Sequence, residues 1–111
     1  MYVRIARFEG LDPARIDEQV ADRQRQMRAA HASGELPEGV PAQVRTLMET
    51  VVRAVELVDR QSGTGITAMF CATEEDVRRA DAALNEMNPT GGEGRRTSAE
   101  IFEVVLDESF G

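Results

Sequence analysis

One histidine and one cysteine carry most of the chemical options in this chain. Histidine is the side chain that titrates near neutral pH, at ~6.5 when unperturbed, so it serves readily as a general base. His31 falls one helical turn beyond Met27 in a segment of helical periodicity. It can act as a base projecting from a helix end toward a pocket, or as an exposed ring whose positive charge complements the helix C-terminus. Cys71 lies in a predicted strand. A nucleophilic role requires a neighbouring base and partial exposure, and the sequence displays neither; the alternative is a buried thiol packing as a small apolar group. Arg53, Glu56 and Glu103 interrupt apolar strands, where a covered charge is costly unless paired. They read as ligand-orienting groups, as an ion pair across a subunit interface, or as edge residues reaching water. Arg53 and Cys71 are therefore carried as candidate ligand contacts and His31 as the candidate catalytic group.

Other chemistry has less support. Residues 91–96, Gly-Gly-Glu-Gly-Arg-Arg, invite comparison with a phosphate loop. They lack the Lys-Ser/Thr ending and no predicted helix follows, so a loop leading into a strand is expected. Ser33, Ser62, Ser98 and Ser109 lie in no nucleophile motif. With one His, one Cys and no dense carboxylate cluster, neither a metal nor another cofactor is expected. The net charge of −7 argues against a nucleic-acid partner. All thirteen basic residues are arginine, which a GC-rich genome explains more simply than selection for bidentate anion contacts does. The N-terminus has no signal-peptide pattern, and no apolar run approaches the ~20 residues of a membrane span. A cytoplasmic protein with no membrane partner is expected.

The elements that must position these residues follow from periodicity. At 111 residues the chain is one domain. Residues 2–8 form a first strand, with Val3 and Ile5 on one face and Tyr2, Ala6 and Phe8 on the other. Asp12-Pro13 opens a helix running to about Ser33, with Ile16, Val20 and Met27 on its inner stripe, and Gly34 stops it. Val44, Leu47, Met48 and Val51 predict a second, shorter helix from Pro41. Residues 53–59 and 66–71 are strands joined by a turn at 61–65. Thr73 caps a helix with three acids in its first turn, whose inner stripe is Val77, Ala80, Leu84 and Met87. Asn88-Pro89 ends that helix, 90–94 is a glycine-rich connection, and 98–106 is the last strand.

In the central hairpin, both alternating sets of side chains are largely apolar. Val52, Ala54 and Val58 oppose Val51, Val55 and Leu57, while Ile66, Ala68 and Phe70 oppose Thr67, Met69 and Cys71. A sheet wetted on one side should alternate apolar with polar. Both faces need cover, and helices from a chain this short cover one. The order β-α-(α)-β-β-α-β predicts an α+β domain of ferredoxin-like plan, a four-stranded antiparallel sheet with helices on one face. A second copy of the chain is the simplest cover for the other face.

The opening strand, the hairpin at 56–63, the Phe-Cys-Ala-Thr-Glu-Glu junction at 70–75 and the closing Glu-Val-Val-Leu at 103–106 resemble the dimeric α+β barrel superfamily. Within it, the chain is similar to antibiotic-biosynthesis-monooxygenase-like proteins over nearly its whole length. The resemblance implies sheets meeting across a homodimer and a ligand pocket inside each subunit between sheet and helices. It also implies cofactor-independent oxygenase or related chemistry on a small apolar or aromatic molecule. Relatives commonly carry a tryptophan where Cys71 stands, and the chain has no tryptophan. The Asn–Trp–His set of heme-degrading relatives is therefore missing. The extra helix near 41–50 is expected to act as a lid. Two functions stay open: a cofactor-independent monooxygenase-like enzyme, or a non-catalytic dimeric module with a binding or structural role. They differ in whether polar groups converge inside the pocket.

Overall fold

The computed structural model describes residues 1–35, 38–87 and 94–111. Its elements are β1 (Tyr2–Glu9), α1 (Ile16–Ser33), α2 (Gln43–Thr50), β2 (Val51–Asp59), β3 (Thr64–Cys71), α3 (Glu74–Glu86) and β4 (Arg95–Glu103). The strands form one open antiparallel sheet in the order β2-β3-β1-β4. This α+β arrangement is compatible with the ferredoxin-like plan. No described helix is long and apolar enough to cross a membrane.

Register fixes which side chains share a face. Tyr2, Arg4, Ala6 and Phe8 stand with Cys71, Met69, Thr67 and Gly65 on the face that carries the helices. Val3 and Ile5 stand with Phe70 and Ala68 on the opposite face. The parity predicted for β1 and β3 therefore holds, and both faces are largely apolar, with Arg4 on the helical face and Arg7 on the other. In β2 the phase changes, because a bulge between Val51 and Arg53 inserts Val52. Val51 then joins Ala54, Glu56 and Val58 on the helical side, leaving Arg53, Val55 and Leu57 on the other.

Several boundaries differ from the sequence reading for local reasons. Asp12 does not cap α1 directly. Its carboxylate accepts from the Ala14 amide and its carbonyl from the Arg15 amide, which makes a turn and delays the helix to Ile16. Gly34 closes α1 with φ of 70° and donates to Ala30 O at 2.9 Å. At the other helix, Thr73 Oγ1 accepts from the Asp76 amide at 3.1 Å, the cap expected of that sequence. Helix α2 begins at Gln43 instead of Pro41, and β2 at Val51 instead of Arg53. Strand β4 starts three residues early, at Arg95, where an Arg95–Glu9 ion pair of 2.9 Å ties it to β1. It ends at Glu103, so Val105 and Leu106 lie beyond it, exposed. Asn88-Pro89 and most of the 90–94 connection lie outside the described residues.

The core sits under α3. Cys71, Val77 and Ala80 are fully shielded, with Tyr2, Leu47, Val51 and Ile101 packed around them. Alanines at 80 and 83 keep that helix narrow enough to approach β1 and β3 closely. By contrast α1 stands off from the sheet, burying only Ile16 and Ala30 among its 18 residues.

A candidate site between the long helix and the sheet

The space left by α1 is a cleft of about 870 Å³ with a mostly apolar lining. Its floor is the helical face of the sheet, where Ala6, Thr67 and Gly65 are too small to reach the helix. Its roof is the inner stripe of α1, Ile16, Val20 and Met27, and α2 closes one end with Leu47 and Met48. Helix α2 packs along α3 and forms a wall of the cleft. Interiors ordinarily close to crystal-like density, so an apolar opening of this size requires specific support.

That support is visible at both ends. At one end the chain between β1 and α1 is stapled to the hairpin, with the Leu11 amide donating to Gly63 O at 2.9 Å. Leu11 nests among glycines: a Cβ on Gly63 would lie 2.8 Å from Leu11 O, and one on Gly65 2.8 Å from Leu11 Cδ1. Gly63 has φ of +69°, and its turn is completed by Asp59, whose Oδ1 accepts from the Gln61 amide at 3.0 Å. Along β2 the cleft opens, since Ala54, Glu56 and Val58 face the helices yet are exposed. The Arg23–Glu56 ion pair at 2.6 Å spans that mouth, and Arg60–Asp17 at 2.7 Å ties the start of α1 to the turn after β2. The Arg23 pair is bidentate, with a second contact of 3.2 Å. The hydrogen bonds that Asp17 accepts from Arg60, and then the Asp17 charge, raise the Arg60 guanidinium above its ordinary pKa.

Arg4 is the site residue that the sequence reading passed over. Its side chain is 3% exposed, on a central strand, at the floor of the cleft. Nε donates to Asp81 Oδ1 at 2.8 Å and Nη2 to Asn85 Oδ1 at 3.1 Å. The signal was available as an acid and an amide at i and i+4 on α3, beside the inner stripe of Val77, Ala80 and Leu84. Arg96 reaches the same stretch of α3, Nη1 donating to Leu84 O at 3.2 Å, and also lines the cleft.

The three residues nominated from sequence are not brought together. His31 sits exposed in the last turn of α1, at the rim of the cleft. Arg53 borders the cleft through its strand, but its guanidinium lies 5.4 Å from the centroid of Phe70, on the sheet face away from the helices. Cys71 is fully buried against Val77 and Ala80 and is not among the cleft-lining residues. Burial, and then the charge of Asp76, push its thiol pKa up, so it is less of a thiolate than an ordinary cysteine. Glu56 serves the Arg23 pair, and Glu103 is exposed on the edge strand β4. Among the described residues no three His, Cys, Asp or Glu side chains converge as metal ligands. Compared with known proteins, the chain matches no family model, no curated protein and no solved structure.

Proposed function

We propose that this chain is a small-molecule-binding domain of the ferredoxin-like, dimeric α+β barrel type, with its ligand held between α1 and the sheet. The observation that carries the reading is the cleft itself. At about 870 Å³ it falls within the range of ligand pockets, and it stands where helix-on-sheet packing would ordinarily leave nothing. Its apolar lining suits a small apolar or aromatic molecule. Titration with N-phenyl-1-naphthylamine, a neutral apolar fluorophore, tests it. One probe per chain should bind saturably, and Val20→Trp, which fills the roof, should abolish binding while the fold survives. Absence of saturable binding, or binding indifferent to Val20→Trp, would refute the proposal.

The homodimer belongs to the same reading. The uncovered sheet face carries Phe70, Ile66 and Val55, with Leu57 54% and Phe102 46% exposed. Four strands ~4.8 Å apart and eight residues long at ~3.3 Å each give a face of roughly 500 Å² in projection. Val105, Leu106 and Phe110, beyond β4, are further exposed apolar side chains, and an ordinary interface buries ~800 Å² per partner. Sedimentation should return a dimer that Phe102→Asp dissociates; a wild-type monomer at tens of micromolar would exclude it.

A monooxygenase-like activity, the function implied by resemblance, would add turnover to binding. His31 at the rim is the one observation favouring it, as a candidate base bordering the cleft. Oxygen uptake with aromatic quinols that disappears in His31→Ala, with probe binding retained, would support catalysis. Silence across a broad quinol panel would leave the binding module alone.

A further inference from the structure

The charge around the cleft runs against the charge of the chain. The protein carries −7 overall, yet the charged groups reaching the cleft are four arginines, at positions 4, 23, 28 and 96, and one acid, Glu56, besides His31. Glu56 is committed to Arg23. An apolar cleft ringed by one sign of charge concentrates counter-ions of the other sign.

Arg4 sharpens this from a general field to a specific contact. Its two hydrogen bonds, to Asp81 and Asn85, use two of the five N–H donors of a guanidinium. The other three have no acceptor among the described residues, although the side chain is 3% exposed. Buried donors are almost always satisfied, and leaving them unmade is the costly case. Asp81 and Asn85 also fix the plane of the guanidinium, so its free edge is presented without further ordering. Arg96 is anchored one residue away on the same helix, at Leu84 O, and has no carboxylate partner among the described residues. Asp81 neutralises Arg4, whereas Arg96 supplies the uncompensated positive charge.

Resting on the binding function proposed above, we infer that the ligand is an amphipathic anion. It is an apolar or aromatic body ending in a carboxylate or similar oxyanion, which accepts hydrogen bonds from Arg4 and Arg96 while the body fills the space under α1. Paired oxygens of a carboxylate or sulfonate span the guanidinium edge with charge-assisted bonds, whereas an alcohol offers a single neutral oxygen and a hydrocarbon end none.

The test compares two probes on one skeleton, N-phenyl-1-naphthylamine and its 8-sulfonate, titrated at low salt. The sulfonate should bind at least tenfold more tightly, although a chain of −7 would repel it from any nonspecific surface. Arg96→Gln and Arg4→Met should each weaken the sulfonate at least fivefold and leave the neutral amine within twofold. A sulfonate that binds no tighter than the amine, or a preference that survives Arg96→Gln, would overturn the anion assignment while the cleft stands. Failure of both probes to bind would remove the cleft reading as well. Should Arg4→Met not fold, the wild-type ratio and Arg96→Gln decide the matter.

Discussion

The two halves of the helical layer cover the same sheet in opposite ways. Helix α3 lies close, with Val77 and Ala80 fully shielded against Cys71, and its small residues let the helix settle. Helix α1 is longer, but rests at its ends, on Ile16 and Ala30, and spans the interval with ion pairs to β2 and the following turn. One half converts burial into stability; the other keeps apolar surface unfilled. Surface ion pairs are worth little, about 0–1 kcal/mol, so α1 is held by much less than α3 and can adjust to what lies beneath it. The division places rigidity at Arg4, whose partners are both on α3, and adaptability at the roof.

The comparison can be broken by substitution. The largest effect is expected at the staple that fixes the closed end. Gly63→Ala forces a left-handed backbone on a residue with a Cβ and drives that carbon against Leu11 O, for a loss of about 2–4 kcal/mol in urea unfolding. Next come matched truncations on the two helices. Val77→Ala should cost about 2–3 kcal/mol through lost transfer energy and a residual cavity, whereas Val20→Ala, already beside open space, should cost less than about 1 kcal/mol. Equal costs would mean that α1 is packed as firmly as α3.

Cys71 gives a milder probe of the packed half. The native thiol should resist aromatic disulfide reagents at neutral pH and react fully only on unfolding. Its folded pKa is raised, so above the ordinary thiol value of ~8.5 the unfolded chain loses a proton that the folded chain keeps. Stability should therefore fall as pH rises past that value, and less steeply in Cys71→Ala. The smallest effect is expected at the mouth, where Glu56→Gln should change stability by less than about 1 kcal/mol.

Much of the packed half was legible in the sequence, because it depends on local rules. The Thr73 cap, the spacing of Val77 and Ala80 and the alternation in β1 and β3 all follow from neighbours a few residues apart. The parity of β2 was not legible. Val52 looks like any strand valine, and only pairing with β3 reveals it as the inserted residue of a bulge. Arg4 was missed because an arginine between Val3 and Ile5 reads as an ordinary interruption. Its partners lie 77 and 81 residues away. The cleft was anticipated through a family resemblance, while the residues themselves showed only an inner stripe on α1. Ile16, Val20 and Met27 would read the same whether the helix touched the sheet or stood away from it. That distance is set by the small residues opposite, Ala6, Thr67 and Gly65, and by the Leu11 staple, all remote in sequence.

Amide hydrogen exchange, with and without N-phenyl-1-naphthylamine, tests the division of labour most directly. In the free protein, amides of α1 should exchange much faster than those of α3. Saturating probe should slow α1 and leave α3 unchanged. Equal protection of α1 and α3 in the free protein, or probe protection confined to other elements, would contradict a ligand site beneath α1.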